Sequence, residues 1–342
     1  MPKQKDLKEE IYFLFIHKWK YFAIIIISLF RKNNRFKGEV KTVTYVARQK
    51  DKDWIFGAKV RRLSKHSALE TQVHLSDKLR DLPSTDGYYY IYQNYFCRCL
   101  RSTPSILNKK NIVMFTHPNW SKKYSKTHVV WCLNKADYVI CLNSDIKAYL
   151  IECGVRAEIL KVIHIATSAK TFTPHKRIGT GVVGLCSGHH VRKNPELIFD
   201  IIKNHTKREF WLLGTNWERF PRFKELLALP NFKYIKDEPY ENFPAMYEKM
   251  DVFLSPSRLE GGPVPLLEAM MSNCMPVASR TGFSADIIEH GQNGYLFDVD
   301  ATYDEVIPLI EKAFDNQNEV RSTVMDFTWE NCAIRIDQLF LT

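Results

Sequence analysis

From Val40 onward, short β-branched apolar runs alternate with amphipathic stretches, and the alternation comes in two blocks. In the first block, Val40–Val46, Tyr88–Tyr92, Ile112–Phe115, Tyr138–Leu142 and Ile159–Ile165 read as strands, and Trp54–His66 has helical spacing with Ile55, Val60 and Leu63 on one side. A polar stretch, Thr167 to Thr180, separates it from the second block. There the strands are Val182–Cys186, Phe210–Leu213, Phe232–Ile235, Val252–Ser255, Pro276–Ser279 and Tyr295–Phe297. Asn194-Pro195 reads as the cap and first position of a helix, where proline's missing N–H costs nothing. Such alternation predicts parallel sheets with helices on both faces. The expected fold class is α/β, with two doubly wound Rossmann-like domains facing across a cleft, over residues 38–174 and 175–325. A helix over 326–342 should cross back to the first domain. Ligands of such sheets bind outside the carboxyl ends of the strands, so functional residues are sought there.

One strand end concentrates the chemistry. The run Asp251 to Ser255 ends in Pro256-Ser257-Arg258-Leu259-Glu260, followed by Gly261, Gly262 and Pro263, and Val264–Met271 then reads as a helix. Two glycines permit close approach of a ligand to the backbone. The helix start beyond them offers N–H donors and a positive dipole end, which suits phosphate. Glu260 lies before the helix and Glu268 about one turn inside it, so the two carboxylates can contact different parts of one extended ligand.

These residues resemble the group 1, family 4 glycosyltransferases of the GT-B fold. That family's motif has two glutamates separated by seven residues, here Glu260 and Glu268. The flanks resemble it too: Ser255-Pro-Ser, Glu268-Ala-Met, Pro276-Val277, and Ile287-Ile288 through Gly291-Gln-Asn-Gly294-Tyr-Leu. Ala136-Asp137-Tyr-Val-Ile, Phe172-Thr-Pro174 and Trp329-Glu330 match more loosely. The resemblance covers about residues 130–340 and is specific between 251 and 297. It implies a retaining transfer of a hexose-type sugar from a nucleoside diphosphate sugar. Glu260 would hold sugar hydroxyls, Glu268 the nucleotide ribose, and the Gly261-Gly262-Pro263-Val264 turn the sugar and diphosphate. In the family an arginine just after a glycine, and a lysine a few residues on, bind the diphosphate. Here Lys193 fits the lysine, His189 stands at the arginine position, and Arg192 is a further candidate. His117, before Pro118, stands near a family histidine that approaches the transferred sugar; a packed histidine is the alternative. Neither a metal nor a cofactor is implied. The sequence departs from the family at Ala166, Ser168 and Asn273. The glycine-rich loop after the first strand is also missing, with Arg48 to Gly57 in its place. The bases there suit an anionic acceptor, such as a pyrophosphate-linked lipid.

Charge points to a second partner. Residues 1–175 hold 31 Lys and Arg against 14 Asp and Glu, a net of +17, and the rest of the chain has a net of −6. The apolar run Tyr21–Phe30 is ten residues long, short of the roughly 20 a spanning helix needs. Lys18 and Lys20 precede it, and Arg31, Lys32, Arg35 and Lys37 follow. An apolar helix edged by bases suits an in-plane anchor in an anionic leaflet; a buried core helix is the other reading. Residues 1–37 are therefore expected to hold the protein peripherally at an anionic membrane surface, on its cytoplasmic face, near a glycan or lipid-linked acceptor. No aromatic-basic motif points to nucleic acid. The eight cysteines form no Cys-x-x-Cys pair and have no zinc-site spacing, so buried free thiols are expected and no metal site. Competing activities are a nucleotide-sugar epimerase of the same fold and a non-catalytic scaffold. A glycoside hydrolase also uses two carboxylates, but a glutamate beside a phosphate-type helix start serves a nucleotide better.

Overall fold

The computed structural model describes residues 22, 24–27, 39–53, 55–78, 81–118, 125–179 and 181–342. Most of the expected anchor segment, residues 1–37, lies outside them. Its described part, Phe22 and Ile24–Ile27, is helical, with Ile24 buried and Phe22 and Ile25 exposed. Among the described residues no helix is long and apolar enough to cross a membrane.

The chain divides into two compact units. The first comprises Met1–Cys141, Asp145–Ile163 and Cys332–Thr342; the second comprises Leu142–Ser144 and His164–Asn331.

The first unit is built on a parallel six-stranded sheet of order β2-β1-β3-β4-β5-β6. Its strands are β1 (Thr42–Ala47), β2 (Glu70–Leu75), β3 (Gly87–Tyr90), β4 (Lys110–Phe115), β5 (Tyr138–Cys141) and β6 (Leu160–Val162). The helices are α1 (Ile55–His66), α2 (Gln93–Ser102), α3 (Lys126–Leu133) and α4 (Ser144–Glu152). Central strands covered on both faces are apolar nearly throughout, and Val43, Tyr45, Val46, Tyr89, Ile112, Val113, Val139 and Ile140 are accordingly buried. Burying each of the Val and Ile side chains contributes about 1.5–3 kcal/mol. In α1, Val60 and Leu63 face the sheet as expected, but Ile55 at the first position is exposed. The sequence reading also lacked β2, a half-exposed strand at the sheet edge.

The end of the last helix, α11 (Trp329–Leu341), belongs to this unit. Asp337 accepts from Ser67 Oγ and from the Ala68 N–H, both at 2.7 Å. Gly87 leaves room for Phe340, whose ring a Cβ would meet at 2.7 Å.

The second unit carries β7 (Val182–Cys186), β8 (Glu209–Gly214), β9 (Phe232–Lys236), β10 (Val252–Ser255), β11 (Met275–Ser279) and β12 (Tyr295–Phe297), all parallel, in the order β12-β11-β10-β7-β8-β9. Around them lie α5 (Pro195–Asn204), α6 (Phe223–Leu227), α7 (Phe243–Tyr247), α8 (Val264–Met271), α9 (Ser284–Ile287) and α10 (Tyr303–Asp315). Strand order reverses between β7 and β10, the strands that open the unit and that precede the glycine turn. In a sheet of this winding, the crevice beyond the carboxyl ends of that pair is the ligand site.

Candidate functional site

The loops leaving β7 and β10 meet at this reversal. The β7 loop is pinned first. Ser187 N–H donates to Leu213 at 2.9 Å, His189 N–H donates to Thr215 at 2.9 Å, and Trp217 Nε1 donates to the Ser187 carbonyl at 2.8 Å. Gly214 is required there, because a Cβ would lie 2.0 Å from the Ser187 oxygen. A short 3-10 turn, Val191–Lys193, follows, with the His190 ring accepting from the Arg192 N–H. Asn194 stands at the expected cap position, with Pro195 opening the helix, but by a different geometry from a side-chain cap. It sits at the N-cap of α5 with φ 58°, in the left-handed region, and makes no side-chain cap bond. Its side chain instead accepts from Arg258 Nε at 3.1 Å, and Arg258 N–H donates to the Arg192 carbonyl at 2.7 Å. These two hydrogen bonds help join the β7 and β10 loops.

Glu260 sits at the centre of this junction, 8% exposed. Lys193 Nζ bonds its Oε1, and Arg192 Nη1 bonds its Oε2 at 2.9 Å while also donating to the Leu259 carbonyl at 3.1 Å. Burial pushes the Glu260 carboxyl up, but Lys193 and then Arg192 outweigh it and hold it below the usual carboxylate range. The loop after β11 backs the residue. Thr281 Oγ1 accepts from the Glu260 N–H at 3.1 Å, and Gly282, at φ +64°, passes where a Cβ would lie 2.7 Å from the Glu260 Cβ. A buried carboxylate with two cations on separate oxygens is a fixed acceptor facing a fixed positive pair.

Beyond it the glycine turn enters α8, with Pro263 at the N-cap. Among the described residues the N–H groups of Gly261, Gly262 and Val264 donate to no protein acceptor, so they are available to a ligand. Packing adds a reason for Gly262, since a Cβ there would meet Phe283 at 3.0 Å and Ile165 at 3.2 Å. A small cavity at the same strand ends is lined by Cys186, Ser187, Lys193, Ser255, Ser257 and Pro263.

Glu268 is 1% exposed, and its two oxygens accept from Tyr240 at 2.5 Å and from Tyr247 at 3.1 Å. Tyr247 belongs to α7 and Tyr240 to the turn before it. Neither tyrosine was singled out from the sequence. They lie 28 and 21 residues before Glu268, so no local spacing links them to it, and only the fold brings them onto that carboxylate.

His189 packs edge-on against Trp217 with ring centroids 5.6 Å apart, and against Phe220 at 6.2 Å. Burial, then the neighbouring His190 and Arg219, lower its pKa from the ordinary histidine value. It is therefore neutral at neutral pH, and the positive charge here belongs to Lys193 and Arg192. His117 lies half-buried in the first unit, just past β4. In that same unit Arg48, among the bases read as suiting an anionic acceptor, is engaged with buried Asp51 through Nε at 2.8 Å and Nη2 at 3.0 Å.

All eight cysteines are free, and six are buried. The lack of zinc-site spacing in the sequence needs a correction in three dimensions, because Cys97, His128 and Cys132 come together in the first unit.

Residues 183–324 match the family model described as Glycosyl transferases group 1. The chain is 26% identical over 202 residues to the lipopolysaccharide 1,6-galactosyltransferase of Salmonella typhimurium, a match covering 55% of each, so it spans about half the length of that curated relative. It is also similar to the crystal structure of Anabaena HepE in complex with UDP, with a TM-score of 0.70 and 16% identity over 87% of this chain and 98% of that one. The apo form of the lipopolysaccharide outer core galactosyltransferase WaaB gives a TM-score of 0.66 at 16% identity, over 87% and 98%. Sucrose-phosphate synthase from Thermosynechococcus elongatus gives 0.69 at 15% identity, over 88% and 98%. At these identities the solved structures establish the fold. Residues 183–324 thus match the group 1 glycosyl transferase family model, and the chain has the GT-B fold.

Proposed function

We propose that this protein is a retaining, metal-independent glycosyltransferase that moves a hexose from a nucleoside diphosphate sugar to a membrane-borne or lipid-linked glycan. The observation that carries the reading is the buried Glu260 carboxylate held between Lys193 and Arg192, beside the open N–H groups of the α8 start. A sugar hydroxyl donates to Glu260. The diphosphate takes up the Lys193 and Arg192 cations and the glycine-turn N–H groups, and Glu268 receives the ribose hydroxyls. Fixed donors of this kind act most where charge develops. As the bond from the anomeric carbon to the phosphate oxygen breaks, negative charge grows on the diphosphate, and these groups stabilise it without a metal ion. The acceptor oxygen attacks the anomeric carbon from the same face, and its proton passes to the departing phosphate. His117 is assigned to the sugar side of the reaction.

Two of the similar proteins support the donor and acceptor classes by their descriptions: HepE was solved with UDP and glucose, and the Salmonella relative is a lipopolysaccharide galactosyltransferase. The test is a panel of nucleotide sugars, each incubated with the full chain and a lipid-linked glycan acceptor, with nucleotide release and thermal shift both measured. Release of a nucleoside diphosphate with one donor, dependent on acceptor, is the expected result. Interconversion of the sugar without acceptor-dependent release would establish the epimerase instead. Binding of no nucleotide sugar would overturn the reading.

A further inference from the structure

Helices α2 and α3 of the first unit carry a cluster that the transfer reaction does not use. Cys97 lies in the middle of α2, and His128 and Cys132 lie in α3. Residues four apart stack on one helix face, so His128 and Cys132 present their donors together, with Cys132 Sγ and His128 Nε2 3.5 Å apart. Cys97 reaches the same point from α2, and one donor atom from each of the three lies within 4.8 Å of the others. Tetrahedral zinc has Zn–S of about 2.3 Å and Zn–N of about 2.0–2.1 Å, which puts neighbouring donors about 3.5–3.8 Å apart. The three donors need little movement to meet that geometry. Their chemistry is selective as well: thiolate and imidazole suit zinc and poorly suit magnesium or calcium.

We propose that Cys97, His128 and Cys132 bind one thiophilic divalent ion of the zinc class and so tie α2 to α3. Cys97 and Cys132 are 0% and 1% exposed, and His128 is half-buried. A water molecule completes the tetrahedron on the His128 side. Binding forms two metal–sulfur bonds and one metal–nitrogen bond, and the two thiol protons leave to solvent. The tie has a structural purpose. Helix α3 is only eight residues long, and isolated helices shorter than about 12–15 residues are marginal in water. The inference is independent of the nucleotide-sugar reading.

Cobalt(II) tests it directly on the full chain, with the thiols reduced by a phosphine and the protein first stripped of metal. The expected result is uptake of one ion per chain, with a thiolate-to-cobalt charge-transfer band and the intense visible bands of tetrahedral cobalt, both lost when zinc is added. Cys97→Ser and Cys132→Ser should abolish the charge-transfer band, whereas Cys153→Ser, at a half-exposed cysteine outside the cluster, should keep it. Should the serine variants misfold, His128→Asn at the half-buried position serves. It should weaken affinity by about two orders of magnitude or more, since even partners outside the ligand set are worth about 10–100-fold. No cobalt uptake by reduced wild-type protein would overturn the proposal. So would uptake with bands unchanged in the Cys97, Cys132 and His128 variants.

Discussion

Lys193 and Arg192 hold opposite oxygens of the buried Glu260 carboxylate. The pair that would neutralise a diphosphate therefore starts out half neutralised, by the residue that would hold the sugar. Glu260→Gln keeps the shape and removes the charge. Turnover should fall by at least a hundredfold, because the amide is a weak substitute for a charged acceptor. Affinity for the nucleoside diphosphate alone should hold or rise, because both cations lose their competitor. Parallel calorimetry and turnover measurements on one preparation separate the two effects, and a loss of diphosphate affinity matching the loss of rate would contradict the arrangement.

The same pairing sets an acid limit on stability. Glu260 is held below the ordinary carboxylate value, about 4.3 in the unfolded chain. A group with a depressed folded pKa contributes its stability above the unfolded pKa and loses it as pH falls through the folded one. The stability difference between wild type and Glu260→Gln should therefore be flat from neutral pH down to about 5 and shrink below the unfolded value. Urea unfolding of both proteins across that range would expose a different dependence.

Glu268 is covered by Tyr240 and Tyr247 hydroxyls. A ribose that hydrogen-bonds Glu268 must share it with, or displace, the Tyr240 hydroxyl. Tyr240 is 38% exposed and Tyr247 is fully buried, so Tyr240 is the one able to yield. Glu268→Ala should weaken donor binding by roughly 1–3 kcal/mol, the scale of a hydrogen bond to a charged group. Tyr240→Phe should tighten it severalfold. Weaker binding in Tyr240→Phe would instead make the hydroxyl a direct contact of the nucleotide.

Much of the second unit could be read directly from the chain. Strands β7, β10 and β12 and helix α8 have the bounds expected, because buried parallel strands are short apolar runs and Pro, Gly and Ser punctuate them sharply. Glu260 and Lys193, 67 residues apart in sequence, were both singled out by their place after such a strand together with the resemblance to the glycosyltransferase motif. The misses have physical causes too. Strand β2 is a polar edge strand, Glu-Thr-Gln-Val-His-Leu, without the apolar run that marks a central one. Asn194 looks like a capping residue, yet its backbone is left-handed and its side chain is taken by Arg258. The cysteine cluster joins residues 31 and 35 positions apart across two helices, a spacing that no short motif encodes.

The two metal statements are separable by experiment. Transfer should survive brief exposure to EDTA, since Lys193, Arg192 and the α8 start would supply the positive field at the diphosphate. A slow loss on prolonged exposure to a strong zinc chelator, with a lower melting temperature and recovery by zinc alone, would report the α2–α3 tie. Rapid loss restored by manganese or magnesium would overturn the metal-free mechanism.

The amino-terminal segment should hold the protein at an anionic membrane surface. In its described part Phe22 and Ile25, three residues apart on one helix face, are 55% and 44% exposed, while Ile24 is 1% exposed. One apolar face is thus turned inward and another outward, which suits a helix lying on a surface. Bases flank the run at Lys18 and Lys20 and again from Arg31 to Lys37. Each base near an anionic leaflet adds about 1 kcal/mol, a contribution that salt screens. Full-length protein should co-sediment with vesicles containing phosphatidylserine or phosphatidylglycerol and much less with pure phosphatidylcholine. High salt should weaken the binding, and removal of residues 1–37 should nearly abolish it while leaving nucleotide binding by the second unit intact. Equal vesicle binding by the truncated protein would place the anchor elsewhere. A truncated protein that no longer folds would show that the buried side, Ile24 included, belongs to the core.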